Sequence, residues 1–193
     1  MTVQAIYLSH PEVEIDPDVP VPRWGLSELG AARTAALAAR LGDLSGWRVV
    51  SSDEQKAIET GTPLAKLTHA PLIIRPDMHE NDRSATGYQP REAFEALADA
   101  FFAAPDVSVQ GWETARAAQT RIVSEVRTVI GQYPGTPLIF TGHGGVGTLL
   151  FCHLAVHEIS RQWDQNGGGH WFRFSTEMDS VERGWSAMET LCK

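Results

Sequence analysis

Cysteine, positive charge and long apolar runs are all scarce in this sequence. Its 193 residues hold two cysteines, Cys152 and Cys192, too few for a disulfide framework and without the spacing of a zinc site. Sixteen Lys and Arg stand against 24 Asp and Glu, a net charge of −8. That balance argues against a nucleic-acid binder, which needs a basic footprint, and leaves room only for a local basic pocket. No apolar stretch approaches the roughly 18 residues of a membrane span, and the N-terminus lacks the basic lead and long apolar run of a signal peptide. The expectation is a cytoplasmic chain that binds neither nucleic acid nor membrane. A hydrophobic share of 42% is ordinary globular composition. The length fits one domain spanning residues 1–193, with a core that needs no staples.

Periodicity divides the chain into short strands and longer helices. Val3–Leu8, Trp47–Val50, Leu72–Ile74 and Pro137–Thr141 read as buried strands, and Trp171–Phe174 and Trp185–Met188 as a late edge hairpin. Ser27 looks like the N-cap of an alanine-rich helix to Leu41, closed by Gly42. Ser52 with Gln55 resembles a capping box opening a helix to about Leu67. Arg91–Phe102, Gly111–Ile130 and a segment from Gly142 to about Val156 complete the helices. Glu12–Arg23 and Asp77–Pro90 are too rich in turn formers and charge to be anything but loops. Strands alternating with helices in this order predict an α/β/α sandwich around a mostly parallel sheet.

In such sheets ligands gather beyond the carboxyl ends of the strands. Three points qualify: Ser9-His10, Ser51-Ser52 and Gly142-His143. Lys56 sits early in the helix after Ser52, and Glu80 in the polar loop after the third strand. Two imidazoles, an ammonium, a carboxylate and helix N-termini are the parts of a small-anion site. Gly142-His143-Gly144-Gly145-Val146-Gly147 also fits the G-x-G-x-x-G pattern, but fewer than 50 residues follow it, too few for a dinucleotide fold. His153 and His157 have the i, i+4 spacing of a helical metal pair, yet no third ligand accompanies them, so no metal is expected.

Taken in order, Ser9-His10-Pro11-Glu12, Leu26-Ser27-x-x-Gly30, Ser51-Ser52-x-x-x-Lys56-Ala57-x-x-Thr60, Met78-His79-Glu80, Trp112-Glu113-Thr114 and His143-Gly144-Gly145-Val146 resemble the signatures of the histidine phosphatase superfamily, the phosphoglycerate mutase-like proteins. The resemblance covers about residues 3–156. It implies a cofactor-free phosphomonoester hydrolase in which His10 takes the phosphoryl group, His143 stabilises charge and Glu80 serves as general acid and base. The substrate would be a small phosphorylated molecule or a phosphoprotein. Asp82 is close enough in sequence to compete with Glu80 for its role.

Two departures stand out. The family's arginine before the nucleophile is Ser9 here, and its second arginine is Lys56. A hydroxyl and a point charge replace two forked guanidinium groups, so bidentate phosphate binding is lost. Ser9, Lys56 and Arg83 are the expected phosphate contacts, with Arg23 and Arg91 as further cations near the site. Pro11 stands where the family has glycine. The alternative reading is a degenerate member that binds an anionic ligand or a partner protein without turnover.

Overall fold

The computed structural model describes residues 3–182 and 184–192. The elements run β1 (Gln4–Ser9), α1 (Glu28–Leu41), β2 (Arg48–Ser51), α2 (Gln55–Leu67), β3 (Ile73–Ile74), α3 (Arg91–Ala103), α4 (Ala115–Gln132), β4 (Leu138–Gly142), α5 (Gly144–Leu154), β5 (His170–Ser175) and β6 (Ser186–Ala187). They form one six-stranded sheet in the order β3-β2-β4-β1-β5-β6. The first four strands of that order are parallel, and β5 and β6 run antiparallel at one edge. This is the α/β/α sandwich expected, with the late hairpin at the edge.

Side chains alternate across the sheet because successive Cβ atoms of a strand point to opposite faces. Ala5 and Tyr7 of β1, with Leu138 and Phe140 of β4, face the core built with α3, α4 and α5. Ile6, Leu8, Val49 and Ile139 face the core built with α1 and α2. Both faces of the central strands are therefore covered, which is why these strands read as continuous apolar runs.

Local chemistry fixes most helix ends. The Ser27 hydroxyl accepts from the Gly30 N–H and starts α1, and Gly42 closes it with a φ of 61°. The Thr114 hydroxyl accepts from the Ala117 N–H, so α4 begins at Ala115 rather than at Gly111. Gly111 has a φ of 84°, a turn conformation that no helix contains. The capping-box reading of Ser52 is corrected too. Helix α2 starts at Gln55, and the Ser52 hydroxyl instead accepts from the Glu54 N–H and bonds His143. Gln55 reaches forward to Glu59. Helix α5 stops at Leu154, and Val156 takes a φ of 55°. His157 therefore leaves the helical line of His153 and stacks on Trp163 at 4.1 Å, which removes the helical histidine pair.

Strand register sets up the site. Ser9 pairs with Gly142, and Ser51 pairs with Thr141. The adjacent parallel strands β2, β4 and β1 thus end level with one another, and the residues after them emerge side by side.

Candidate active site

His10 follows β1 and His143 follows β4. Their rings lie 5.4 Å apart between centroids, at 70° to each other. His10 Nδ1 is 2.8 Å from the Pro11 carbonyl oxygen. A carbonyl only accepts, so Nδ1 carries the proton and donates, and Nε2 keeps its lone pair. Burial pushes the His10 imidazole down to about 4, and the Lys56 cation adds to the effect. At neutral pH the ring is uncharged, with one nitrogen free to act as a nucleophile.

His143 is fully buried. Its Nε2 bonds the Ser52 hydroxyl at 2.7 Å. Burial lowers its pKa to about 4, although the nearby carboxylates of Glu54 and Glu80 pull the other way. The main chain of His143 is clasped by Tyr7, whose hydroxyl accepts from the His143 N–H at 3.1 Å and donates to the His143 carbonyl at 3.2 Å. Burial raises the pKa of that phenol, so it stays a neutral donor and acceptor.

Glu80 sits at the N-terminus of α5, the helix that His143 caps. Its carboxylate accepts from the N–H groups of Gly145 at 3.0 Å and Val146 at 2.9 Å. This is where free donors and the helix dipole favour negative charge. The loop behind Glu80 is pinned by Arg121, which donates to the carbonyls of Asp77, His79 and Glu80 and pairs with Glu113. Asp82 is used elsewhere: its carboxylate accepts from the Ser84 N–H.

The glycines of the last motif are explained by space. A Cβ on Gly142 would meet the Tyr7 hydroxyl at 2.3 Å, and one on Gly145 would meet Glu80 Oε1 at 2.7 Å. A Cβ on Gly147 would strike the Tyr7 ring at 2.5 Å. The first and last glycines of the pattern that mimics a dinucleotide fingerprint, Gly142 and Gly147, are thus a packing requirement of Tyr7.

The expected phosphate contacts are placed differently from one another. The Ser9 hydroxyl donates to Gln165 Oε1 at 2.5 Å and accepts from the His170 N–H at 3.0 Å, turning toward the late part of the chain. Lys56 is buried; its Nζ donates to the Val21 carbonyl and forms an ion pair with Glu54. Arg83 lies over the Phe94 ring at 4.8 Å, close enough to His10 for its charge to help lower that pKa. Arg23 and Arg91 are exposed. Among the described residues no group of three or more His, Cys, Asp or Glu is placed to hold a metal ion, and no helix is long and apolar enough to cross a membrane.

A cleft of about 890 Å³ reaches Glu54, Glu80 and Arg83, while His10 and His143 are not among the residues that line it. One wall is the proline-rich segment 17–22. Trp24 holds that segment by donating to the carbonyls of Asp16 and Val19, and meets Tyr88 of the opposite wall at 5.7 Å.

Four residues of the site have no signal among the motifs considered above. Tyr7 looks like one more apolar strand residue, and Arg121 like a solvated helix arginine. Gln165 is distant in sequence, and Glu54 is one acid in an acidic chain. The only local hint is Glu54 two residues before Lys56.

Paired strand-end histidines beneath a helix N-terminus that carries a carboxylate, on a largely parallel sheet, define the phosphoglycerate mutase-like class of α/β fold. The chain belongs to the histidine phosphatase superfamily, branch 1, whose family model matches residues 13–180 and so begins just beyond His10. No curated protein matches it. Among solved structures it is similar to a mycobacterial glucosyl-3-phosphoglycerate phosphatase, with a TM-score of 0.76 and 18% identity over 96% of this chain and 97% of the other. YhfR of Bacillus stearothermophilus gives 0.78 and 16% over 93% and 94%. A phosphoserine phosphatase of Entamoeba histolytica, solved with 3-phosphoglyceric acid, gives 0.78 and 14% over 98% and 100%.

Proposed function

We propose that the protein is a phosphomonoester hydrolase working through a phosphohistidine on His10. The observation that carries this reading is the setting of that ring: Nδ1–H is held by the Pro11 carbonyl and Nε2 is left bare beside His143. In the first step the Nε2 lone pair forms a bond to phosphorus as the ester P–O bond breaks. The leaving oxygen takes a proton from the Glu80 carboxyl, which enters this step protonated against the pull of the helix N-terminus. In the second, the Glu80 carboxylate takes a proton from water as the water oxygen bonds phosphorus and the P–N bond breaks, releasing phosphate. Splitting the displacement lowers each barrier, and positioned charge supplies most of the rest. Arg83 provides that charge, and the neutral His143 imidazole contributes as a hydrogen-bonding group rather than a cation, joined by Lys56 when Glu54 yields it. The cleft suits a small phosphorylated molecule, in line with the small phosphate esters named for the similar structures; the phosphorylated side chain of a protein would meet the same groups.

Hydrolysis of an aryl phosphate from pH 5 to 8, with chelator present, tests the reading. Turnover lost in His10→Ala, together with a phosphoryl group trapped on His10 in the wild type, supports it. Turnover unaffected by His10→Ala would end it. A second reading, anion binding without chemistry, is favoured by one observation: Ser9 and Lys56 are both committed to internal partners. Phosphate binding with neither turnover nor a phosphoenzyme would select it.

A further inference from the structure

Glu54 is a buried carboxylate at the centre of the candidate anion site, and the scheme above gives it no task. One of its oxygens accepts from the Glu80 N–H at 2.9 Å and stands 3.6 Å from His143 Nε2. The other is ion-paired with Lys56. An amide N–H, an ammonium and an imidazole nitrogen converge on it, as they would on the oxygens of a phosphoryl group. The carboxylate is mostly buried, yet it also borders the cleft. An anion entering from that cleft meets Glu54 before it meets Lys56.

We propose that Glu54 is a built-in competitor for the anion site, one that holds Lys56 and keeps the affinity for free phosphate low. The inference rests on the reading of this site as one for phosphate esters. Its chemistry is that of an exchange. A phosphoryl group reaches Lys56 only when the Glu54–Lys56 pair opens, and it then lies close to a second negative charge. An ester whose remaining part binds in the cleft can offset that cost, whereas inorganic phosphate has no such part. Glu54 therefore discriminates between ester and product, and product release is fast.

The probe is inorganic phosphate, titrated calorimetrically at pH 7 into wild type and Glu54→Gln. The amide keeps an acceptor for Lys56 and removes the charge. The expected result is phosphate binding at least about tenfold tighter in Glu54→Gln, the scale set by one like charge removed within a few ångströms in a partly buried site. Affinity unchanged or weaker in Glu54→Gln overturns the proposal. A purely structural role would move the melting temperature without tightening phosphate. If Glu54→Gln fails to fold, Glu54→Ser is titrated in its place, its hydroxyl keeping an acceptor for Lys56 without the charge. Tighter phosphate in that variant supports the proposal, and equal or weaker binding overturns it. These measurements involve no turnover, so loss of the phosphohistidine scheme in the His10→Ala test is a separate outcome.

Discussion

The hydroxyl of Tyr7 closes a two-way clasp on the main chain of His143, accepting from its N–H and donating to its carbonyl across 136 residues of sequence. The clasp has no room for a side chain at Gly142. It fixes where β4 ends and where the second imidazole begins. Tyr7→Phe leaves the His143 N–H buried without this acceptor, while the carbonyl keeps the Gly147 N–H; the unpaired donor costs about 1–3 kcal/mol. Thermal denaturation should register the loss, and aryl phosphate turnover should fall with it.

Gly142→Ala attacks the same clasp from the other side. Its methyl group would lie 2.3 Å from the Tyr7 oxygen, with no flexible chain to yield. Overpacking of this kind costs roughly 1–3 kcal/mol. Denaturant titration is the check, and a midpoint equal to that of the wild type would contradict the geometry.

Acid should destabilise the fold well above the pH at which ordinary carboxylates titrate. In the unfolded chain His10 and His143 take protons from about pH 6.5 downward, whereas in the folded chain they resist until about 4. Below 6.5 the unfolded state therefore binds more protons, and stability falls through that window. Glu54 adds to the loss below about 4.5. Burial opposes its charge, but His143, Lys56 and the Glu80 N–H outweigh burial and hold the carboxyl well below its usual range. The melting temperature at pH 4.5 is expected on the order of 5–10 °C below that at pH 7.5.

The same neutral imidazole sets the acid limb of activity. His10, the nucleophile of the proposed scheme, keeps its lone pair down to about pH 4, so kcat/KM should show no inflection near the 6.5 of a free histidine. A profile that loses a decade of activity between pH 7 and 6 with one ionisation would place the proton on His10 instead.

Much of the architecture was readable because strands and helices here announce themselves by period and cap. Ser27, Gly42 and the alternation of Ile6 and Leu8 against Tyr7 are local signals with local causes. His10, His143 and Glu80 were legible through strand ends and ordered motifs. Helix starts at Ser52 and Gly111 misled, because a hydroxyl that caps and one that bonds a distant imidazole look alike in sequence. The partner that claims Lys56 was also hidden. Burial turns an unremarkable Glu54 into its counter-ion, and burial is a property of the whole fold.

Arg121 gathers the Glu80 loop by three carbonyls and one carboxylate. Arg121→Met frees those carbonyls and unfixes Glu80, the general acid of the proposed scheme. The fall should appear in kcat more than in KM, by about 10- to 100-fold, because the acid acts on the leaving group rather than on binding. Arg121→Lys, which keeps charge but not the fork, should recover only part of it.

The Ser9 hydroxyl donates to Gln165 Oε1 and accepts from the His170 N–H, and the His10 carbonyl accepts from the Gly169 N–H. The floor of the His10 seat is thus laid by the sixth residue of the first strand, and its cover by residues some 160 positions later. Loops of that length close late in folding, since their entropy must be spent before any contact rewards it. During synthesis the imidazole of His10 is made some 160 residues before the segment that frames it. A chain released before β5 carries His10 but not the residues that seat it, so the site is framed only when the sheet is completed.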